Sequence, residues 1–191
     1  MKIGNIDCNR IDSRIKIVKS IFKPFQKQLN KITRLCEDDS FDYWDTIYAD
    51  DTEHLVGTAF IVLQNYINSS ISDLYPEMKK LHLKYSIGEK VQGNSKITKI
   101  ELIITLANYY KHRDLPSELH KNTTRPLDDL NIEYKEIYDI NNNNFHHRIG
   151  SNSPVFNGFS MLSEKWDFND LFQIIEEWRE NLWITEQKKG S

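Results

Sequence analysis

Cysteine is scarce in this sequence and long apolar runs are missing, and both shortages narrow the class of protein. The 191 residues include only two cysteines, Cys8 and Cys36, which are too few for a disulfide scaffold. No apolar stretch reaches the roughly 18–20 residues that a membrane span requires. The first seven residues lack the apolar segment of a secretory signal. We therefore expect a cytoplasmic protein with reduced thiols and no membrane partner.

Motifs for cofactors and metals are also missing. The seven glycines form neither of the phosphate-binding patterns G-x-G-x-x-G and G-x-x-x-x-G-K, and no serine nucleophile elbow occurs. There is no C-x-x-C and no paired Cys/His spacing of the kind that holds zinc. His146 and His147 are adjacent, so they point to different sides of a helix or a strand. The sequence thus predicts no cofactor and no metal site.

Apolar periodicity predicts helices along most of the chain. Residues 11 to 36 carry apolar side chains at steps of three and four, which is typical of an amphipathic helix, and Pro24 predicts a kink or a break near residue 23. A second, central helix is expected from Asp51 or Thr52 to about Leu74. Because no strand alternation is evident, we expect an all-α antiparallel bundle of five or six helices. It forms a single domain over residues 1–187 with a tail at 188–191.

Capping signals mark two further helices. Thr98 and Glu101 have the spacing of a capping box, which opens a helix that Pro116 limits to about residue 114. Asp167 is the predicted N-cap of the last helix. The intervening chain is less regular. It contains a short helix expected to start at Pro126, an asparagine-rich loop over 141–144 and a second loop over 151–154.

Charges of opposite sign form two adjacent blocks. Residues 1–36 contain nine Lys and Arg against two Asp, whereas residues 37–53 contain eight Asp and Glu and no Lys or Arg. Either the blocks neutralise each other in the fold, or one of them steers a partner. The acidic block is also rich in aromatic residues, a combination that suits the binding of a basic protein surface. The predicted partner-binding residues are Asp38, Asp39, Asp42, Trp44, Asp45, Tyr48 and Asp50. The alternative is an acidic surface loop whose aromatic side chains lie in the core.

The most informative segment is Ala107 to Arg113. In a helix, Asn108 and His112 lie one turn apart on the same face, and Lys111 and Arg113 add positive charge beside them. These groups are suited to gripping a phosphate. They are equally suited to ending a helix, where cations complement the helix dipole, or to bridging to a neighbouring helix.

This segment resembles the motif of the HEPN family, the higher eukaryotes and prokaryotes nucleotide-binding domains. That motif is an Arg followed by a polar residue and, a few positions later, a His; Asn108 to His112 is similar to its latter part. Ala107 stands where the Arg is expected. A second fit, from Arg113 to His120, is interrupted by Pro116. The resemblance implies an all-α bundle from a toxin–antitoxin or phage-defence system. In active members it further implies a metal-independent ribonuclease with a site built across a homodimer.

Two functions are therefore in competition. The first is a non-catalytic interaction protein of a bacterial conflict system, of the immunity or antitoxin type, which binds a cognate toxin through the acidic and aromatic surface. The alternative is a HEPN-type ribonuclease toxin acting on RNA. There His112 is the acid or base, Asn108 fixes it or the phosphate, and Arg113 or Lys111 replaces the missing Arg. A lysine cannot copy the bidentate grip of a guanidinium on a phosphate, so Ala107 favours the first function.

Overall fold

The computed structural model describes residues 2–3, 6–7, 12–36, 45–94, 96–114, 119–139, 144–146, 148 and 152–187, with the backbone alone in the short strands and at some helix ends. Six α-helices lie within these ranges: α1 (Ile15–Cys36), α2 (Asp45–Leu74), α3 (Lys99–His112), α4 (Lys121–Asp129), α5 (Pro154–Leu162) and α6 (Phe168–Gln187). A short 3-10 helix, Leu81–Lys84, lies between α2 and α3. The predicted all-α bundle is confirmed.

Two small antiparallel hairpins accompany the helices. Strand β1 (Lys2–Ile3) pairs with β2 (Ile6–Asp7), and β3 (Ile137–Asp139) pairs with β4 (Asn144–His146). No strand had been predicted, and Asn144 belongs to β4 rather than to the expected loop. Strands of two or three residues are too short for a period-two alternation to be visible in the sequence.

Helices α2 and α3 form the centre of the bundle. Helix α2 contacts α1, α3, α5 and α6, as expected from its wide apolar stripe. The middle of α3 is buried on nearly all sides. The fully buried side chains of these two helices include Val56, Phe60, Leu63, Ile67, Ile71, Leu102, Ile103 and Leu106. The remaining helices pack around this pair.

A glycine lets α2 and α3 approach closely at one point. A Cβ atom built on Gly57 would overlap the ring of Tyr110 on α3. Any larger residue at this position would force the ring away, because a packed interface has no room for an extra methyl group. Gly57 thereby positions Tyr110 against the N-terminal half of α2.

The capping residues behave as predicted. The amide of Glu101 donates to Thr98 Oγ1 at 3.0 Å, and the amide of Thr98 donates to Glu101 Oε2 at 2.7 Å, which completes the capping box of α3. At the start of α6, the amide of Asn169 donates to Asp167 Oδ1 at 2.8 Å. Helix α3 ends at His112, with Arg113 as its C-cap.

Two helix predictions need correction near the N-terminus. The break expected near residue 23 does not occur, because Pro24 lies on the exposed side of α1, where the carbonyl that it leaves unpaired has access to water. Helix α2 begins at Asp45, six residues before the earlier of the two predicted caps. Acidic residues are favourable in the first turns of a helix, so the acidic block supports this earlier start.

Two further corrections concern the region between α3 and α6. Helix α4 starts at Lys121, with His120 as its N-cap, and Pro126 lies inside it rather than at its start. Helix α5 occupies part of a region expected to be loop. Its start is a regular one, because the Ser153 side chain accepts from the amide of Val155 and Pro154 takes the first helical position.

Candidate functional site

The polar residues at the end of α3 divide between two clusters. Asn108 and Lys111 contact Gln64 in the middle of α2, whereas Arg113 contacts Glu53, which lies nearer to the N-terminus of α2. His112 is exposed and belongs to neither cluster. The predicted group of four is therefore not assembled around a common point.

The Gln64 cluster consists of Gln64, Asn108 and Lys111. Gln64 Nε2 donates to Asn108 Oδ1 at 2.8 Å, and Lys111 Nζ donates to Gln64 Oε1 at 2.7 Å. Gln64 is buried, and partial burial lowers the pKa of Lys111. In this arrangement Asn108 and Lys111 bridge α3 to α2, which is one of the structural roles considered for them.

The Arg113 cluster consists of Asp50, Glu53, His54, Tyr110 and Arg113. Only 5% of Arg113 is exposed, and its Nη1 lies 2.9 Å from Oε1 of Glu53, which is fully buried. Asp50 Oδ1 lies 3.9 Å from Nη2, and the guanidinium lies over the Tyr110 ring at 4.8 Å from its centroid. A buried cation thus meets a buried carboxylate, supported by a second carboxylate and an aromatic face.

His54 forms the open side of the Arg113 cluster. Its Nδ1 lies 2.7 Å from the Tyr110 hydroxyl, and its Nε2 lies 3.2 Å from Arg113 Nη2 and 3.6 Å from Asp50 Oδ2. More than half of its side chain is exposed. The imidazole and the phenol are of the kinds that transfer protons, and a guanidinium beside them can stabilise negative charge. The guanidinium, however, is turned inwards.

Tyr109 lies beside the Arg113 cluster and is fully buried. Its hydroxyl has no hydrogen-bond partner among the described residues. Burial raises the pKa of Tyr109 above its ordinary value, and the negative charge of Glu53 raises it further. This phenol therefore stays protonated in the folded protein well into the alkaline range.

A cavity of about 670 Å³ borders the other side of α3. Asn108 and Gln64 line it, together with Lys96, Arg125 and Asp129 from the neighbouring segments. Lys96 Nζ lies 2.8 Å from Asp129 Oδ1, and Arg125 Nε lies 3.8 Å from Asp129 Oδ2. Asp129 is thus shared by two cations, so one positive charge is left over, and a phosphate in the cavity would compete with Asp129 for Lys96 and Arg125.

The predicted partner-binding residues fall largely outside the described residues. This holds for Asp38, Asp39, Asp42 and Trp44. Asp45 and Tyr48 lie in the first turns of α2, but their side chains are not described. Asp50 is described: it is half-exposed and belongs to the Arg113 cluster.

Sequence reasoning missed Glu53, His54, Tyr110 and Gln64. A signal for three of them was present in the spacing. Asp50, Glu53 and His54 follow the i, i+3, i+4 pattern of a single helix face, and Tyr110 and Arg113 follow i, i+3 on α3. This spacing did not predict a common helix face, because α2 was expected to begin at Asp51 or Thr52, which leaves Asp50 outside the helix.

Comparison with known proteins gives no relative. No family model, no curated protein and no solved structure matches the chain. The described residues contain no group of three or more His, Cys, Asp or Glu that is arranged to hold a metal ion. Among the described helices, none has the length and apolar character needed to cross a membrane.

Proposed function

We propose that this chain is a non-catalytic helical interaction protein of a bacterial conflict system, HEPN-like with a degraded motif, which masks a cognate toxin in the cytoplasm. The toxin binds through the acidic and aromatic segment 37–53. The observation that carries the proposal is the burial of Arg113 against Glu53. It supports a structural role for Arg113, the guanidinium at the end of α3.

The energetics of this ion pair argue for binding rather than catalysis. A ribonuclease needs a cation at the phosphorane oxygens, and a guanidinium serves best. Turning Arg113 outwards would break its buried ion pair with Glu53, at a cost of about 3–5 kcal/mol. Lys111 is itself engaged by Gln64. The positive groups of the motif therefore hold α2 and α3 together.

The acidic segment continues into a regular helix, which supports a binding surface. Residues 45–53 form the first turns of α2, where Asp51 is exposed and Asp50 half-exposed. Carboxylates in this position complement the basic cleft that a nuclease toxin uses for nucleic acid. Trp44 and Tyr48 are the candidate aromatic anchors, since such residues dominate the binding energy of many interfaces.

The test is a charge reversal in the acidic segment. The variant Asp42→Lys/Asp45→Lys is co-expressed with the protein encoded by the neighbouring gene, and both growth and the dissociation constant of the purified pair are measured. We expect growth inhibition to return and binding to weaken by at least a hundredfold, because like charges now face each other across the interface. Asp50 is left intact, because its reversal would disturb Arg113.

The matched control is Glu77→Lys/Glu164→Lys, which makes the same change in net charge at two exposed residues elsewhere. It should protect the cells as well as the wild-type chain does. The proposal fails if the Asp42→Lys/Asp45→Lys variant, folded by circular dichroism, binds the neighbouring protein with unchanged affinity.

The ribonuclease alternative keeps one favourable observation, the exposure of His112 one turn beyond Asn108. Its test is His112→Ala. Under our proposal this variant protects cells as well as the wild type, and neither protein cleaves RNA. RNA cleavage by the wild type that disappears in His112→Ala would favour the alternative instead.

A further inference from the structure

The outer face of α1 carries a continuous row of positive charge. Helix α1 contains six cations and no acidic residue. Lys19 is paired with Glu176 of α6 at 2.7 Å. The other five cations form no ion pair with any described residue. They are Lys16, Lys23, Lys27, Lys31 and Arg34.

These five cations share one side of the helix. At 100° per residue they fall within an arc of about 80°, and at 1.5 Å per residue they extend over about 27 Å. All five residues are exposed. A helix that only needed solubility would gain more from mixed charges, because like charges one turn apart repel each other.

Two apolar side chains border this row. Ile17 is 63% exposed and Ile21 is 42% exposed, and together with the exposed Pro24 they lie next to the cations around the helix. They are separate from the residues that α1 buries in the core, such as Phe22 and Leu29. We call the five cations, Ile17 and Ile21 the α1 outer face.

We propose that the α1 outer face binds the surface of membranes that contain anionic phospholipids. Such a surface is flat and negatively charged and has acyl chains just below the headgroups. It therefore fits a helix that presents lysines beside isoleucines. Binding of this kind is peripheral and needs no spanning segment, so it departs from the expectation of no membrane partner, which rested on the absence of such a segment.

The isoleucines favour a lipid surface over a nucleic acid. A single-stranded nucleic acid is bound by cations along its phosphates together with aromatic side chains on which the bases stack. The α1 outer face has the cations but no aromatic residue. Exposed isoleucines gain nothing from phosphates, whereas they gain from contact with acyl chains.

This inference goes beyond the proposed masking function and does not depend on it. The α1 outer face shares no residue with the Arg113 cluster or with segment 37–53. The toxin-binding test and the membrane test can therefore fail separately.

The experiment is co-sedimentation of the full chain with vesicles. Vesicles of phosphatidylcholine alone are compared with vesicles that contain about 30 mol% phosphatidylserine at low salt. We expect binding only to the anionic vesicles, and we expect it to fall as the salt concentration rises. The variant Lys23→Gln/Lys27→Gln/Lys31→Gln should bind about a hundredfold more weakly, since each cation near such a surface contributes roughly fivefold.

Two further variants separate the contribution of the α1 cations from that of charge elsewhere and from that of the isoleucines. Lys80→Gln/Lys121→Gln/Lys165→Gln removes the same charge from exposed positions outside α1 and should bind like the wild type. Ile17→Ser/Ile21→Ser keeps every charge and should still lose about tenfold in vesicle binding. All variants are checked by circular dichroism melting, and none alters a buried residue.

The inference is overturned if the chain binds neutral and anionic vesicles equally. It is overturned as well if the two triple-lysine variants lose the same amount of binding to anionic vesicles. It is also overturned if a single-stranded RNA of about 20 nucleotides binds the chain while the anionic vesicles do not. In that case the isoleucine variant would leave RNA binding unchanged, and the surface would be a nucleic-acid site.

Discussion

The cations of α3 and of α1 lie in opposite environments. Arg113 is buried against Glu53, and Lys111 is bonded to Gln64, so both hold α3 to α2. On α1, by contrast, five exposed cations have no ion-pair partner among the described residues. Both sets are visible in the sequence as positive charge on helices. The difference shows that contacts within the fold, rather than the count of Lys and Arg, separate cations that stabilise the fold from cations available to a partner.

The largest expected effect on stability comes from removing Arg113 from its cluster. Arg113→Ala should lower the free energy of unfolding by about 3–5 kcal/mol, because it removes the buried cation that pairs with the buried carboxylate of Glu53. Lys27→Ala, on the α1 outer face, should change it by less than about 0.5 kcal/mol. Urea unfolding measures both.

A double variant identifies the cause of that loss. Glu53→Gln/Arg113→Met removes both charges and should recover part of the stability lost in Arg113→Ala. The contrast between the two regions is lost if Arg113→Ala is as stable as Lys27→Ala.

A second test uses the titration of Tyr109 beside the same cluster. Its pKa is raised in the folded protein by burial and by Glu53, so above about pH 10 the unfolded state loses a proton that the folded state keeps. Stability must therefore fall as the pH rises through this range. Tyr109→Phe should reduce the fall by up to about 1.4 kcal/mol per pH unit, as measured by urea unfolding between about pH 9 and pH 12.

The same variant has a control at neutral pH. The Tyr109 hydroxyl has no hydrogen-bond partner among the described residues, so Tyr109→Phe should be neutral or slightly stabilising there. Parallel pH curves for the wild type and Tyr109→Phe would show that Tyr109 does not titrate with a raised pKa.

The smallest effect on stability is expected for a substitution in the Gln64 cluster. Gln64→Leu should cost about 1 kcal/mol or less, because Asn108 is only half-buried and Lys111 is exposed, so both can bond to water instead. Asn65→Leu, at the exposed neighbouring position, is the control and should be close to neutral. A loss for Gln64→Leu as large as that for Arg113→Ala would show that the two clusters are energetically alike.

Local signals explain most of what the sequence predicted of the fold. Thr98 with Glu101 and Asp167 fixed two helix starts, because a cap depends only on residues within one turn. The missed helix α5 carried an equally local signal in Ser153 and Pro154, but its neighbours Asn152 and Ser151 favoured a loop. Pro126 gave a wrong helix start, because a proline fits the first turn of a helix best, whereas here it lies further inside α4.

The candidate site was less predictable, because its contacts join residues far apart in sequence. Arg113 and Glu53 are separated by 59 other residues, and nothing in either local segment indicates their pairing. The close approach of α2 and α3 at Gly57 places Tyr110 beside His54, and a lone glycine inside a helix does not reveal such a contact in advance. Asn108 and His112 share a helix, as predicted, but the bond of Asn108 to Gln64 separates it from the exposed imidazole.

The early start of α2 has a consequence for recognition. Residues 45–50 already have helical backbone in the free chain, so a partner that docks on them meets a preorganised frame. Association then costs little backbone entropy. Complementary charge can raise the association rate, because no folding step of this segment has to precede binding.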